Sequence, residues 1–426
     1  MVTGFATRFS NPFSTAQAAS SLVPGAFMVA LAGHTYAVDT AQPPGSHQHA
    51  SIGYLTKFVT SPVFGSPSGQ GEVAENSLNP DVSWRRAQSS WDHGAGQPHL
   101  DLADSDRSRF NTSKGVNPWT IGKLTLLNDT SLAHSSTNTN LALQLAGNYM
   151  YLADGSALKY TTDLVTWSDV GVNTTVRSIC SAGTSVYAAL PGGVALTTIG
   201  SGSFTAAWNA LEPTVLGYCK DRLMAGLGPN VYNITASGAA PTALFTHPNS
   251  GWTWVGFASG DSCIYAAGFA GHYSAIYKVT IQSSGVALGA MTICGELPEG
   301  ETALSIFTYL GFVYVGTTSG IRLCTADVSS GDLSIGSVIP AGPVRCAAGY
   351  DRFVWFGWEN YDTTSTGLGR LDVTVINDDA PAYATDLMAT TQGHVTGVAS
   401  LGGRMVFAVS GVGVYAQTST YVASGT

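Results

Sequence analysis

Charged residues are scarce in this sequence. Lysine, arginine, aspartate and glutamate make up 11% of its 426 residues, against roughly 25% in ordinary soluble domains. The formal net charge is −9, whereas proteins that bind phosphate backbones carry clustered lysine and arginine in a basic field. The composition therefore predicts a globular protein whose surface is polar through hydroxyl and amide groups, and it argues against nucleic acid as a partner.

Long apolar runs are also missing. The stretch at residues 23–33 is apolar, but it contains Pro24 and Gly25 and follows no basic leader. It is much shorter than the roughly 20 residues that a membrane-spanning helix needs. We therefore expect neither membrane insertion nor a signal peptide.

Cysteine and histidine show no metal-binding spacing. The cysteines occur at irregular intervals without a Cys-x-x-Cys pair, at Cys180, Cys219, Cys263, Cys294, Cys324 and Cys346. This distribution is typical of small buried hydrophobic side chains. His47 and His49 could point to one face of a strand, but no carboxylate or cysteine stands at ligand spacing from them. We expect no metal and no other cofactor.

What the sequence does contain is a pattern that occurs seven times. Each copy has an apolar strand, a short turn with glycine or aspartate, and a strand of aromatic, β-branched and small residues. The copies lie at residues 141–155, 176–193, 215–228, 254–269, 304–320, 344–358 and 395–411. Their matched central residues are Tyr151, Tyr187, Met224, Tyr265, Tyr314, Trp355 and Val406.

The spacing of these central residues predicts the fold. It runs from 36 residues (Tyr151 to Tyr187) to 51 residues (Trp355 to Val406), which is the span of a four-stranded propeller blade. We therefore predict an all-β chain with a seven-bladed β-propeller over residues 123–426. Because an open terminal blade would leave an unpaired edge, we expect residues 123–130 to form the outer strand of the last blade.

Acidic residues in the repeats favour a structural role over catalysis. Asp221, Asp261 and Asp351 recur at the turn between the first two strands, a position that suits aspartate because it caps tight turns. A glycosidase would need two carboxylates that face one cleft, and the chain has no Gly-x-Ser-x-Gly, His-Glu-x-x-His or phosphate-binding loop. We predict that the chain is not an enzyme. A glycan-degrading hydrolase is the less favoured alternative.

One further motif belongs to the predicted ring. The run TTDLVTW at residues 161–167 resembles the aspartate box of sialidase-like propellers, in which an aspartate and a tryptophan fasten a turn between blade strands. The resemblance implies that Asp163 and Trp167 are structural residues.

Residues 1–122 differ in kind from the rest. They hold no copy of the repeat, and they show short strand patterns such as HTYAVDT and YLTKFV between turns rich in proline and glycine. We predict an arm or small β domain here. Its most unusual part is the segment 83–119, where tryptophan, histidine, arginine and aspartate are interleaved.

Several stretches resemble the minor tail proteins of long-tailed phages that infect actinobacteria. They are AFMVALAGHTYAVDT, the run from GEVAENSLNPDVSWRRAQSSWDHGAGQ to DSDRSRFNTSKGVNPW and on to LNDT, and SGVGVYAQTSTYVASGT at the end of the sequence. In many members of that family a further β domain follows the last of these. The resemblance implies a virion protein at the tail tip, assembled in the host cytoplasm, that contacts other tail-tip proteins as a homo-oligomer or symmetric ring.

Within that family the segment 83–119 looks like a connector. Trp84, Trp91 and Trp119 would be buried anchors. Four arginines would pair with aspartates of the same segment or with backbone carbonyls. The arginines are Arg85, Arg86, Arg107 and Arg109, and the aspartates are Asp92, Asp101, Asp104 and Asp106. His93 belongs to the same docking segment. Arginine and tryptophan dominate interface energetics, but a clasp between the arm and the propeller would use them equally well, so both possibilities remain open.

Two of the repeats predict a recognition surface. The loops after the second strands of the fourth and sixth copies are expected to be enlarged and to lie on one face of the ring. They contain Phe269, His272, Tyr273, Trp358 and Tyr361 beside amides and carboxylates. Exposed aromatic rings of this kind suit stacking on sugars, so we expect a contribution to recognition of host cell-wall glycan. The alternative is a tail-tip scaffold protein that never contacts the host.

Overall fold

The computed structural model describes residues 128–282, 287–359, 366–373 and 393–418 in full, and the backbone of the strands at 26–31, 34–39, 55–57, 116–120, 123–126, 382–388 and 419–421. Two compact units divide the chain, Met1–Gln88 and Ser89–Thr426. In the first unit, β1 (Ala26–Leu31), β2 (His34–Asp39) and β3 (Leu55–Lys57) form an antiparallel sheet in sequence order. These strands include the predicted HTYAVDT strand.

The second unit is a seven-bladed β-propeller of four-stranded antiparallel sheets. Blade 1 consists of β7 (Leu141–Ala146), β8 (Tyr149–Asp154), β9 (Ala157–Thr161) and β10 (Ser168–Asp169). Blade 2 consists of β11 (Ser178–Ala182), β12 (Ser185–Leu190), β13 (Gly193–Thr198) and β14 (Thr205–Asn209). Blade 3 consists of β15 (Val215–Cys219), β16 (Arg222–Leu227), β17 (Asn230–Ile234) and β18 (Phe245–Thr246). Blade 4 consists of β19 (Thr253–Ser259), β20 (Cys263–Ala270), β21 (Tyr273–Ile281) and β22 (Leu288–Glu296).

The last three blades follow the same plan, and the seventh takes its fourth strand from earlier in the chain. Blade 5 consists of β23 (Ala303–Tyr309), β24 (Phe312–Thr317), β25 (Gly320–Ala326) and β26 (Leu333–Pro340). Blade 6 consists of β27 (Ala347–Tyr350), β28 (Phe353–Glu359), β29 (Thr366–Asp372) and β30 (Ala382–Met388). Blade 7 consists of β31 (Val395–Leu401), β32 (Arg404–Val409), β33 (Gly413–Tyr421) and β6 (Asn128–Ser135). First strands of consecutive blades lie side by side, and β31 lies beside β7, so the ring is closed.

The strand that closes the ring begins later than the sequence predicted. Closure by an N-terminal strand is confirmed, because β6 pairs with β33 from Gly413↔Ser135 to Gln417↔Thr130. The predicted bounds 123–130 were partly wrong, since β5 (Lys123–Leu126) pairs with β4 (Val116–Thr120) in a separate two-stranded sheet. Residues 123–126 therefore pair locally with β4 in a hairpin, and the following strand β6 completes blade 7.

The predicted central residues fill the gaps between blades. Each stands two residues after the pair that closes the turn between first and second strands; Tyr151, for example, follows the pair Ala146↔Tyr149. Each also belongs to a different one of seven hydrophobic clusters, and every cluster joins one blade to the next. The core thus consists of seven wedge-shaped hydrophobic clusters, one between each pair of neighbouring blades. A large side chain is needed to fill each of them, which explains why the pattern repeats large residues at this position.

Close approach of neighbouring blades requires glycine near the end of second strands. A Cβ on Gly226 would lie 2.9 Å from the Cβ of Trp254 in the next blade. The five cysteines other than Cys346 are buried, and Cys346 is half-buried. All six thiols are free, as predicted for small hydrophobic side chains.

The antiparallel blades give the ring two distinct faces. Turns between first and second strands and between third and fourth strands lie on one face, named face A. Turns between second and third strands and the connections between blades lie on the other, named face B. Asp221 and Asp351 lie in face A turns with φ of +58° and +56°, a conformation that aspartate tolerates better than most residues. The turn position predicted for these aspartates is confirmed.

The aspartate box is a turn between the third and fourth strands of blade 1. Asp163 Oδ1 accepts hydrogen bonds from the backbone N–H of Val165 and of Thr166, both at 2.8 Å. These bonds, with a third from Thr161 Oγ1 at 3.0 Å, lower the pKa of Asp163 to about 2. The carboxylate is therefore held as a turn cap, as the sequence motif predicted.

Candidate functional site

Blade 4 carries the exposed part of the predicted recognition surface. The fourth-copy loop was predicted to be enlarged, but it is a two-residue turn, because Ala270 pairs with Tyr273 across Gly271 and His272. Gly271 has φ of +60°, which this tight turn requires. The extra residues instead lengthen the two strands. Phe269 is half-buried in β20, whereas His272 and Tyr273 are exposed on face B.

Trp358 is not an exposed loop residue, so that part of the prediction was wrong. It lies in β28 opposite Gly367 and is 7% exposed. Its ring belongs to the cluster between blades 5 and 6, where a large aromatic fills the wedge. The chain leaves the ladder at Glu359 and re-enters it at Thr366, so the sixth-copy connection is long. Tyr361 lies in it, outside the described residues.

The predicted connector segment is almost entirely outside the described residues. This holds for Trp84, Arg85, Arg86, Trp91, His93, Arg107 and Arg109, and also for His47 and His49. Trp119 lies in β4, where only the backbone is described. The docking and clasp interpretations of this segment stay predictions.

His272, Tyr273 and Glu296, named here the Tyr273 site, place an exposed aromatic ring beside a carboxylate on face B. Tyr273 is 42% exposed and donates a hydrogen bond from Oη to Glu296 Oε1 at 2.6 Å. Glu296 lies at the end of β22 opposite Ala275. Partial burial and the neighbouring Glu296 carboxylate together raise the pKa of Tyr273 to about 12. The phenol therefore stays neutral and remains a donor throughout the physiological pH range.

A buried aromatic cluster supports the Tyr273 ring from behind. The Trp252 ring centroid is 6.0 Å from that of Tyr273, and Trp252 stacks on His247 with centroids 4.0 Å apart. His247 Nε2 is 2.9 Å from Tyr277 Oη, and burial lowers the pKa of His247. Sequence reasoning missed this cluster, although the run HPNSGWTW at residues 247–254, which ends in β19, contains His247, Trp252 and also Trp254, whose ring lies edge-on to that of Trp252 at 5.6 Å. The cluster therefore packs one side of the exposed Tyr273 ring against a buried tryptophan.

A second polar group on face B was also missed. Glu359 is 6% exposed, and its two oxygens contact Arg345 Nε at 3.1 Å and His394 Nδ1 at 2.8 Å. Arg345 and His394 precede the first strands of blades 6 and 7, so this carboxylate ties two blade connections together. Glu359 is one of the carboxylates that the sequence placed beside Trp358 and Tyr361 in the exposed sixth-copy loop, and its buried position at the end of β28 corrects that prediction.

The wall of the central channel has a distinctive composition. None of the seven first strands, all of which are described in full, contains an aspartate, glutamate, histidine, lysine or arginine. Hydroxyl groups instead bond backbone across blades, as when Thr308 Oγ1 donates to the Ser259 carbonyl at 2.7 Å. Any acidic and basic side chains for catalysis in this channel would therefore have to lie in the turns and blade connections at its two ends.

Among the residues that the structure describes, no three His, Cys, Asp or Glu side chains are grouped so as to hold a metal ion. The same residues include no helix with the length and hydropathy of a membrane span.

Known proteins resemble this chain in fold alone. No protein-family model matches the sequence, and no curated protein matches it. Among solved structures, an inactive virginiamycin B lyase from Staphylococcus aureus, solved with quinupristin, is 12% identical, covers 68% of this chain and 99% of its own, and has a TM-score of 0.52. The extracellular domain of a one component system from B. thetaiotaomicron is 13% identical over 70% of this chain and 42% of its own, with a TM-score of 0.52. The β-propeller domain of Cps50 from Myceliophteria thermophila is 11% identical over 68% of this chain and 100% of its own, with a TM-score of 0.45.

Proposed function

We propose that this protein is a structural protein of a phage virion, a minor tail protein at the tail tip, whose propeller contributes to recognition of a host cell-surface glycan. The observation that carries the proposal is the resemblance of the chain to minor tail proteins of actinobacterial phages, strongest over residues 72–130. The propeller fold agrees with the repeat region that follows this segment in that family.

Binding is favoured over catalysis by how the described buried acids are used. The four are Asp154, Glu301, Glu359 and Asp372, and each is held in an ion pair within the ring. The seven first strands contribute no aspartate, glutamate, histidine, lysine or arginine to the channel. The lyase of similar fold is too distant in sequence, at 12% identity, to bring its activity to this chain. We therefore infer that the propeller functions by binding a partner at its surface and not by catalysis.

The Tyr273 site is the proposed point of glycan contact. An exposed aromatic ring can stack on the apolar face of a sugar, which is worth about 0.5–1.5 kcal/mol beyond its buried area. The Glu296 carboxylate and His272 add groups that hydrogen-bond to hydroxyls. A single contact of this strength is weak, so several copies at a tail axis would be needed for avidity.

Adsorption of phage to host cells tests the proposal. In the phage that encodes this chain, Tyr273→Ala should leave virion assembly unchanged and slow adsorption, whereas Tyr273→Phe, which keeps the ring, should adsorb almost normally. Antibodies against the chain should label the tail tip in electron micrographs.

Three results would count against the proposal. Unchanged adsorption of Tyr273→Ala would favour the scaffold alternative, and release of soluble sugar from host cell walls by the purified chain would favour the hydrolase. Labelling of no virion structure would remove the tail assignment itself.

A further inference from the structure

The buried Glu359 carboxylate holds two basic side chains and leaves their outer ends accessible. It contacts Arg345 at Nε and His394 at Nδ1, and these side chains are 37% and 52% exposed. Among the described residues, neither the two Nη groups of Arg345 nor Nε2 of His394 has a hydrogen-bond partner. A buried acid thus orients two accessible polar groups. Arg345, Glu359 and His394 are named here the Glu359 site.

The Glu359 site lies on face B at the end of the central channel. First strands line that channel, and Arg345 and His394 stand just before the first strands of blades 6 and 7. Next to His394, the Ser410 N–H donates to the His394 carbonyl and the Gly411 N–H donates to the Asn138 carbonyl, both at 2.8 Å. Residues 136–140, which lead from the closing strand to blade 1, are serine, threonine and asparagine only. The described surroundings of the site are thus neutral hydroxyl and amide groups.

The carboxylate determines which hydrogen bonds the two basic groups offer to a ligand. A carboxylate only accepts hydrogen bonds, so a neutral His394 ring carries its proton on Nδ1, facing Glu359, and keeps Nε2 as an acceptor. Arg345 is bound through Nε, and its Nη atoms offer only N–H donors. The site therefore presents donors beside an acceptor. Two neighbouring hydroxyl groups satisfy both at once, because a hydroxyl can accept and donate.

Charge balance at the Glu359 site favours a neutral ligand over an anion. Glu359 and Arg345 carry opposite charges, and the atoms in contact are 3.1 Å apart. A phosphate or carboxylate would be attracted by the guanidinium but repelled by the nearby Glu359 carboxylate. A neutral diol avoids this repulsion and uses both the donors and the acceptor.

We propose that the Glu359 site binds a vicinal diol of a neutral sugar. One hydroxyl accepts a hydrogen bond from an Arg345 Nη group, and its neighbour donates one to His394 Nε2. Glu359 is a positioning residue that acts through the other two. This site is distinct from the Tyr273 site, which lies on blade 4 of the same face. The choice of a sugar among diols rests on the proposed function, whereas the donor and acceptor arrangement does not.

Ligand-observed NMR with the purified chain tests this proposal. The probes are the methyl glycosides of glucose, galactose and mannose, which between them present trans and cis diols, and inorganic phosphate. At least one glycoside should bind with a Kd of about 1–10 mM, and phosphate should bind more weakly. Arg345→Gln and His394→Ala should each weaken glycoside binding by at least about fivefold, because each removes a hydrogen-bonding group. Arg177→Gln is the matched control, since Arg177 precedes the first strand of blade 2 on the same face.

A Glu359→Gln variant separates positioning of a ligand-binding group from a purely structural role. Glutamine keeps the size of the side chain but removes the charge that balances Arg345. Glycoside binding should therefore weaken, while phosphate binding strengthens. If Glu359 only ties the two blade connections together, the melting temperature should change and the order of the two ligands should not.

The possible results support or overturn the proposal. Glycoside binding that both the Arg345 and the His394 variants weaken, and that Arg177→Gln leaves unchanged, would support it. It would be overturned by a wild-type chain that binds no glycoside, by binding that neither variant weakens, or by phosphate binding tighter than that of every glycoside. Glycoside binding that only Tyr273→Ala abolishes would also overturn it, but would leave the proposed function standing. Adsorption to host cells tests that function separately.

Discussion

The Asp154 carboxylate accepts a hydrogen bond from Ser136 Oγ at 2.5 Å, across the junction where the ring closes. Ser136 follows the closing strand β6, and Asp154 ends the second strand of blade 1. The same carboxylate accepts hydrogen bonds from Asn138 Nδ2 at 2.7 Å and Lys159 Nζ at 2.8 Å. Asp154 is only 5% exposed, so this buried group holds the first blade to the segment that completes the seventh.

Loss of the Asp154 charge should weaken the ring in a manner that depends on pH. Burial alone would raise the pKa of Asp154, but hydrogen bonds from Lys159, Ser136 and Asn138 outweigh burial and hold this pKa far below its usual range. A depressed folded-state pKa gives stability that is present above the unfolded pKa of about 4 and is lost as the pH falls below it. Asp154→Asn should therefore lower the free energy of unfolding at neutral pH, and its difference from wild type should shrink in acid.

Denaturant unfolding at several pH values between neutral and about 2 measures this difference. Asp221→Asn is the control, because asparagine also tolerates the left-handed turn position of Asp221. A deficit of Asp154→Asn that stays constant with pH would contradict the assignment.

Replacement of Trp358 should affect stability and not recognition. The ring fills the wedge between blades 5 and 6, and truncation of a large buried aromatic typically costs about 3–5 kcal/mol. Trp358→Ala should accordingly lower the free energy of unfolding by this order, as measured by denaturant titration. Tyr273→Ala, on the exposed rim of blade 4, should change it far less. Equal stability of the two variants would mean that Trp358 does not pack as described.

The repeat predicted the blades because two physical signals coincide there. A large residue is needed in every wedge, and a two-residue turn precedes it at a constant distance, so residues such as Tyr151 and Tyr314 recur at blade spacing. The loop predictions had no such signal. GFAGHYSA reads as a loop from its glycines, but Phe269 and Tyr273 are good strand formers, and a single left-handed Gly271 is enough to join them.

The polar groups of face B were harder to foresee for a different reason. Glu359 contacts Arg345 and His394, which are 14 and 35 residues away in the chain. These residues come together only when the ring forms and places the connections of blades 6 and 7 side by side. A local sequence pattern therefore could not predict their contact.

The Arg322–Glu301 pair should depend on the guanidinium shape. Arg322 donates from Nε to Glu301 Oε1 at 2.8 Å, from Nη2 to Oε2 at 2.6 Å and from Nη1 to the Gly336 carbonyl at 2.7 Å. Lysine cannot reproduce this fork, so Arg322→Lys should lower the free energy of unfolding by about 1–3 kcal/mol. Arg345→Lys is the matched control, because Arg345 bonds Glu359 through Nε and its side chain is 37% exposed. Similar losses in both variants would show that the fork is not what matters.

Truncation tests which residues close the ring. The seventh blade pairs β33 with β6 from Asn128 to Ser135, whereas residues 123–126 pair with 116–120. A chain that starts at residue 128 should therefore keep the cooperative unfolding transition of the propeller. A chain that starts at residue 136 should leave the edge of β33 unpaired, and unpaired edges promote aggregation, so it should unfold at lower temperature and aggregate. Thermal unfolding followed by circular dichroism, with light scattering, separates the two. If instead the chain from residue 128 behaved like the chain from residue 136, the hairpin of β4 and β5 would be part of the closure.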